Sequence, residues 1–259
     1  IITSNEECDK TSLNNETCIS LGYSGGNLKC SNDCSFLTEN CRVTIQTGSV
    51  YSETSNSISI DSEGNIFVSG YTQGGIDGNI NINSECEENH ETGILCYDLF
   101  LMKFDKSGTK LWTKQWGSDS NDFSSSMVVD NSGNVYVTGY TSGLIAENII
   151  NTSNIGLINT FLTKFNNNGE IQWSKQIEKE IDADCFDYSN FVTIDNSGNI
   201  YLTGETDCNL DGNLNKGSYD LFFAKYDSNG NLLLLKQEGT SASDRGVSVA
   251  TDETGNIFI

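Results

Sequence analysis

The 259-residue chain carries 36 acidic against 14 basic residues, a net charge of −22, so its surface repels nucleic-acid phosphates and anionic lipid. No apolar run approaches the ~18–20 residues a helix needs to cross a bilayer. Aromatic residues make up 10% of the chain and recur periodically, unlike disordered acidic chains, which are aromatic-poor. Proline is absent, so Gly, Asn, Asp and Ser must make the turns. The first element in chain order is a cysteine-dense head. Cys8, Cys18, Cys30, Cys34 and Cys41 lie among Gly, Asn and Ser with few large apolar residues. A piece of ~40 residues buries too little surface to fold unaided, and disulfides are the expected staples. Cys30-x3-Cys34 lacks the paired knuckle of a zinc site, and no Cys-x-x-Cys-His exists for covalent haem.

The head reads Ile1-Ile2, Glu6-Glu7-Cys8-Asp9, Thr17-Cys18-Ile19-Ser20-Leu21-Gly22-Tyr23, then Gly26-Asn27-Leu28-Lys29-Cys30 and Asp33-Cys34-Ser35-Phe36. This string resembles a six-cysteine module common in secreted bacterial proteins. The resemblance implies a first cysteine upstream of Ile1, pairing with one of the five present, and hence a polypeptide that begins before Ile1. The expected organisation is a disulfide-rich module over 1–42, followed by repeats over 43–259.

Beyond the head, Asp-x-x-Gly-Asn-(Ile/Val)-(Phe/Tyr)-(Val/Leu/Ile) occurs at Asp61–Val68, Asp130–Val137, Asp195–Leu202 and Asp252–Ile259. Phe-x-x-Lys-(Phe/Tyr)-(Asp/Asn)-x-x-Gly followed by Lys-Gln occurs at Phe100–Gln115, Phe161–Gln176 and Phe222–Gln237, 61 residues apart each time. Self-similarity at this period predicts a repeat architecture. Each copy reads as four short strands, with period-2 alternation, β-branched and aromatic enrichment, and Gly-closed turns. The blades are expected at 56–118, 125–180, 190–240 and, in part, 246–259, with 43–49 as the last strand of another blade. In the turns, Asp or Asn bonds backbone N–H groups two residues on, and Gly accepts positive φ. Gly64, Gly133, Gly198 and Gly255 serve the first hairpins, and Gly108, Gly169 and Gly230 the second. Each turn offers one recurring carboxylate, which argues for a turn rather than a metal site.

Trp112 and Trp173 are equivalent, as are Phe104, Phe165 and Tyr226, and recurring aromatics point to packing between sheets. Lys103, Lys164 and Lys225 alternate with them and are expected on the opposite face. The pairs Lys114-Gln115, Lys175-Gln176 and Lys236-Gln237 are expected to hydrogen-bond within or between blades. Four-stranded repeats of this kind predict an all-β protein built of β-propeller blades, three full and others partial. Asp130–Thr141 and Tyr219–Gly230 resemble the bacterial seven-bladed β-propeller repeat, SBBP, over about residues 44 to 259. The resemblance implies a secreted or surface-exposed bacterial protein and brings no shared catalytic motif. Glu205, where other copies have Tyr71 and Tyr140, departs from the pattern, as does Leu234 in place of tryptophan. Because the last copy stops inside a second strand, further repeats are expected beyond Ile259, without which the blades form an open arc.

Function is expected on the long connections after each second strand, Thr72–Tyr97, Thr141–Asn159 and Thr206–Tyr219, where packing does not dictate sequence. Asp77, Asn79 and Asn81 in one loop, and Asp211, Asn213 and Asn215 in another, alternate like calcium ligands. Neither loop has a closing bidentate Glu, which favours Asx-turn capping without an ion over calcium. Cys86–Cys96 and Cys185–Cys208 are expected as disulfides that staple loops, implying an oxidising compartment. His90, the sole histidine, lies among Glu87, Glu88 and Glu91, a poor setting for a nucleophile–base pair. No catalytic residues are assigned and no cofactor is expected. The reading is a non-enzymatic extracellular or cell-surface interaction scaffold whose partner is a protein, a glycan or another copy, and not a nucleic acid. The alternatives are a subunit of an extracellular filament or sheath, and a carbohydrate-binding or carbohydrate-active propeller.

Overall fold

A computed structural model of the chain describes residues 7–8, 12–22, 24–38, 40–42, 44–82, 97–145, 157–177, 185–210, 212–252 and 254–259. The chain divides into two compact units, Ile1–Thr47 with Ser107–Thr109, and Gly48–Lys106 with Lys110–Ile259. All described secondary structure is β.

The first unit holds four two-residue strands, β1 (Gly25–Gly26), β2 (Lys29–Cys30), β3 (Phe36–Leu37) and β4 (Cys41–Arg42). β1 pairs with β4 and β2 with β3, both antiparallel. Strands this short hold no register alone, and disulfides Cys8–Cys30 and Cys18–Cys41 bind them instead. Cys8, Cys18 and Leu28 are buried, so the sulfurs themselves make up much of this small core. The Cys34 carbonyl accepts the Glu7 and Cys8 N–H groups at 3.1 and 3.3 Å.

The second unit contains three sheets of identical topology. Blade 1 is β5 (Glu53–Ile60), β6 (Ile66–Thr72), β7 (Asp98–Phe104) and β8 (Lys110–Trp116). Blade 2 is β9 (Asp122–Val129), β10 (Val135–Thr141), β11 (Asn159–Phe165) and β12 (Ile171–Gln176). Blade 3 is β13 (Asp187–Ile194), β14 (Ile200–Thr206), β15 (Asp220–Tyr226) and β16 (Leu232–Glu238). A two-stranded sheet follows, β17 (Ala250–Thr251) with β18 (Ile257–Phe258). The first strands begin at Glu53, Asp122 and Asp187, three residues before the expected limits 56, 125 and 190. Polar residues at these positions read as loop, but Asp122 and Asp187 are buried within the sheet ends.

The first strands adjoin from blade to blade, as inner strands around a common axis do. Each carries a bulge opposite the second strand. In blades 1 and 3 the extra residue is Asn56 or Asn190, whose side-chain amide reaches the Ser124 or Gly246 carbonyl of the next segment at 2.5 and 3.0 Å. Opposite the bulges stand Gly70, Gly139 and Gly204, where a Cβ would run into the Thr54, Phe123 or Tyr188 carbonyl. That close approach explains a glycine inside an otherwise β-branched and aromatic strand.

Alternation along each strand puts one side-chain row toward the preceding blade and the other toward the next. Phe67, Leu99, Leu101 and Trp116 of blade 1 pack on Met127, Val135, Val137, Phe161 and Phe165 of blade 2. Tyr136, Leu162 and Ile177 of blade 2 pack on the larger cluster of blade 3. The second strands of blades 2 and 3 are therefore covered on both faces, as the burial of every residue of β14 shows. Trp112 and Trp173 lie against Gly169 and Gly230 in the second hairpin of the following blade. Those glycines have φ of +74° and +79°, and a Cβ there would also press on the tryptophan. Lys103, Lys164 and Lys225 sit on the face toward the next blade, over the Phe67, Tyr136 and Tyr201 rings at 5.1, 5.3 and 5.1 Å. The first two cross to the next blade, Lys103 donating to Asn167 Oδ1 and Lys164 to the Ser228 carbonyl. Lys103 and Lys164, which read as part of a simple alternating row, are thus blade-to-blade ties, made tolerable by the ring faces beneath them.

Candidate binding surface

The two ends of the blades differ in chemistry. At one end lie the short hairpins. Asp61, Asp130, Asp195 and Asp252 each accept two backbone N–H bonds and one Asn amide bond within their own turn. Asp227 repeats this in the second hairpin of blade 3, while in blade 2 Asn166 Oδ1 accepts the two N–H bonds and its amide donates to Glu170. Tyr136 and Tyr201 hydroxyls add a donor to Asp130 and Asp195 at 3.3 and 2.9 Å. These donors favour the anion. The Asp252 carboxyl falls to about 2 through bonds from Asn256 and Thr254. For Asp61 and Asp195, desolvation is the largest single influence and opposes the shift, but the Asn65 and Asn199 amides and the turn N–H groups together outweigh it. A cleft of about 330 Å³ between the first hairpins of blades 2 and 3 contains Asp130 and Asp195, whose oxygens are already engaged by these bonds.

The opposite end carries the long connections. There the first strand begins, the second strand ends and the third begins, on neighbouring register positions. Glu53 pairs with Thr72 and Thr72 with Asp98, Asp122 with Thr141 and Thr141 with Asn159, and Asp187 with Thr206 and Thr206 with Asp220. All of these except Glu53 are buried. Glu53, Asp122 and Asp244 accept the N–H and hydroxyl of Ser49, Ser118 and Thr240, each four residues earlier. The recurring Gly-(Ser/Thr)-x3-(Glu/Asp) at 48–53, 117–122 and 239–244 is the sequence trace of this capped turn.

One residue along from the buried acids runs a row of half-buried aromatic rings. Tyr97 meets Tyr71 at 5.2 Å between centroids, Tyr71 meets Phe123 at 4.9 Å, and Phe123 meets Tyr140 at 5.1 Å. Tyr140 continues to Tyr188 at 5.0 Å, and Tyr188 to Tyr219 at 6.4 Å and Phe186 at 6.5 Å. Most contacts are edge-to-face or tilted, the favourable arrangement for aromatic pairs. The row joins all three blades, because cross-strand partners 140↔123 and 205↔188 occupy matching grid positions. In blade 3 Glu205 takes the place of Tyr71 and Tyr140. Its Oε2 pairs with Arg245 Nε at 2.6 Å, and burial outweighs that guanidinium to hold the carboxyl above its ordinary range.

The beta-propeller repeat family SBBP matches the sequence at residues 44–77, 111–146 and 172–211. Three β-propeller repeats of the SBBP type are thus recognised along the chain. A WD repeat-containing protein of Acanthamoeba polyphaga mimivirus, itself described as uncharacterized, is 25% identical, with 62% of this chain and 14% of that protein covered. The chain thus spans a small part of that relative's length. Among solved structures, Pseudomonas brassicacearum lignostilbene dioxygenase is 12% identical at a TM-score of 0.37, covering 82% of this chain and 43% of that one. A Synechocystis apocarotenoid oxygenase mutant is 9% identical at 0.37, covering 83% and 45%. Likeness at this level carries no argument about activity.

Within the SBBP repeats the Lys-Gln pairs have one shared task, which falls to the glutamine. Gln115, Gln176 and Gln237 Oε1 accept the N–H of Ile76, Ile145 and Leu210 at 3.2, 3.2 and 2.9 Å. Their Nε2 groups donate to Asp98 or Asp220, or to loop carbonyls. The outer strand thereby anchors the first residues of each long connection. The positions singled out as alternating oxygen ligands are also used locally. Asp77 accepts Lys110 Nζ at 2.7 and 2.6 Å and Thr113 Oγ1 at 2.5 Å, which holds its carboxyl low. Asn79, Asn81, Asn213 and Asn215 donate side-chain N–H to the carbonyls of Ile76, Gln73, Leu210 and Thr206. Asp211 lies outside the described residues, as do Cys86, Cys96 and His90. Cys185 and Cys208 are joined with Cα atoms 5.6 Å apart, which ties the entry of blade 3 to its long connection. The aromatic row and the buried acids were not singled out from sequence. The signal available was a Tyr or Phe adjoining each strand-opening Asp, at Tyr97-Asp98, Asp122-Phe123, Asp187-Tyr188 and Tyr219-Asp220.

Proposed function

We propose that these SBBP repeats form an interaction module, displayed outside the cell, that engages a protein or glycan through the long-connection end and acts by binding rather than by catalysis. The observation that carries this reading is the half-buried aromatic row joining three blades beside the variable loops. Amphipathic rings held by a rigid sheet offer contact area at little entropic cost. The disulfides Cys8–Cys30, Cys18–Cys41 and Cys185–Cys208 support an oxidising, extracellular setting. The surface charge of −22 favours neutral or basic partners over polyanions. The test is binding to arrays of cell-surface proteins and glycans by the wild type, by Tyr71→Ala with Tyr140→Ala, and by Asn131→Ala with Asn196→Ala at the hairpin end. Ligands lost only with the tyrosines support the surface. Equal retention by both double variants rejects it.

A structural subunit of an extracellular assembly is favoured by a different observation. Ile58 of blade 1 is 67% exposed, whereas its equivalents Met127 and Val192 are 6% and 2% exposed beneath the preceding blade. A second copy covering this face would produce larger particles or filaments by light scattering and electron microscopy. A discrete monomer at all concentrations, unaltered by Ile58→Lys, counts against it.

A further inference from the structure

Two aspartates from neighbouring blades converge at the junction of blades 1 and 2. Asp98 opens β7 and is 1% exposed, and Asp122 opens β9 and is 0% exposed. Asp98 Oδ2 accepts the Ile82 N–H at 2.8 Å and Gln115 Nε2 at 3.1 Å, while Oδ1 has no hydrogen-bond partner. Asp122 is rich in donors, taking the Ser118 N–H at 2.6 Å, the Ser118 hydroxyl, and the Thr141 hydroxyl. Both carboxylates aim at one spot, because a Cβ on Gly117 would run into Asp122 Oδ2 and lie 3.1 Å from Asp98 Oδ1. The Asp122 N–H also crosses to the Tyr97 carbonyl at 2.8 Å, so backbone and side chains join the blades at the same point. No lysine or arginine among the described residues acts on either group, and the one charge acting on Asp122 is Asp98.

We propose that Asp98 and Asp122 are a proton-sharing carboxyl–carboxylate pair, Asp98 Oδ1–H donating to Asp122 Oδ2, and that loss of this proton loosens the junction beneath Tyr97 and Phe123. Two buried anions aimed at one point cannot both persist without a partner. A proton on Asp98 supplies its orphaned oxygen with a partner and adds a donor to the carboxylate that already serves as acceptor. The middle blade provides an internal control. At the register position of Asp98 it has Asn159, whose amide is the neutral, donor-bearing counterpart of a protonated aspartic acid, while Asp187 stands where Asp122 does. Burial raises both carboxyls, Asp122 to about 7, and the titration belongs to the pair rather than to either residue. The folded chain keeps a proton that the unfolded chain releases near pH 4. Stability from this pair is therefore full below about pH 4, declines as pH rises toward 7, and levels off above it.

The test is thermal unfolding of the whole chain from about pH 4.5 to 8.5, with chelator and with added calcium, for the wild type and Asp98→Asn. The expected result is a wild-type midpoint that falls by roughly 5 °C or more across this range, and an Asp98→Asn midpoint that falls by less than half as much and is equal or higher at pH 8. A flat wild-type curve, or the same slope in the variant, overturns the pair. Calcium restoring the wild type at pH 8 but not the variant overturns it in favour of a cation held by the two carboxylates. Should Asp98→Asn fail to fold, amide exchange in the wild type decides. The Asp122 N–H must lose protection relative to the Asp187 N–H as pH passes 7, and an unchanged ratio refutes the proposal.

Discussion

The hairpin end and the long-connection end of the blades use the same residue types for opposite purposes. At the hairpin end, Asp61, Asp195 and Asp252 are saturated with N–H donors, and their pKa values fall. At the other end, burial outweighs the donors of Asp98 and Asp122 and their pKa values rise, beside a continuous aromatic row. The comparison teaches that repetition alone does not separate scaffold from function. The hairpin carboxylates repeat because each turn needs one. The acids of the opposite end repeat too, yet they lie beneath the surface where copies diverge, as Glu205 replacing a tyrosine shows.

The largest expected effect lies where the sheet itself leaves no room. Gly139→Ala would drive a methyl group into the Phe123 carbonyl, and the predicted cost is about 3 kcal/mol or more. Gly212→Ala, with no heavy atom near the added Cβ but a φ of +74°, is predicted to cost only about 1 kcal/mol. Denaturant unfolding of both variants checks the ordering, and equal losses would show that the bulge relaxes freely. Next comes the Cys185–Cys208 staple, which closes a separation of 23 residues. Its removal by Cys185→Ser with Cys208→Ser is expected to cost roughly 2–4 kcal/mol. Amide exchange should localise the loosening to the entry of blade 3, leaving the hairpin end of blade 2 protected.

The contrast between the ends also marks what could be read from the sequence. The hairpins were legible because Asp61, Gly64 and Asn65 act within five consecutive positions, and their equivalents repeat the same letters. Strand count and blade order followed from that punctuation. The aromatic row was not legible, since Tyr71, Phe123 and Tyr188 come from three sheets and touch only after the blades stack. Asp122 and Asp187, which open first strands, read as loop residues because charge ordinarily marks a surface, and the first strands begin three residues earlier than expected. Gly139 was overlooked for a related reason. Its constraint is a carbonyl on the paired strand, fixed by a bulge that no local motif announces.

A smaller effect is predicted for the saturated turns. Asp130→Ala removes the acceptor for the Ser132 and Asn134 N–H groups in a turn open to water, and should cost about 1–2 kcal/mol. Acid sensitivity separates the hairpin carboxylates from the Asp98–Asp122 pair, because the two sets titrate in opposite senses. For Asp61, Asp195 and Asp252 the folded pKa lies below the ordinary value, so their contribution is present above about pH 4 and lost as pH falls toward 2. A stability profile that fell on the acid side with no contribution from these carboxylates, tested by Asp195→Asn, would remove that half of the contrast.

The smallest predicted effect on stability comes from making blade 3 resemble its neighbours. Glu205→Tyr removes a buried carboxyl whose pKa burial has raised, and places a ring between Tyr188 and Tyr219. Arg245 loses its partner, but its side chain is 61% exposed and water replaces the bond. The gain from a ring in the row and the loss of one partly solvated ion pair nearly offset, and the unfolding midpoint should move by less than about 1 kcal/mol equivalent. The sign is testable through pH, because a raised carboxyl contributes stability below about pH 4.5 that is lost as pH rises, and the variant should lack that decline. Ligand recognition should change far more than stability, since the exposed face exchanges a carboxylate–guanidinium pair for a phenol. A variant that binds every wild-type ligand unchanged would assign recognition to the loops and leave the aromatic row as packing between blades.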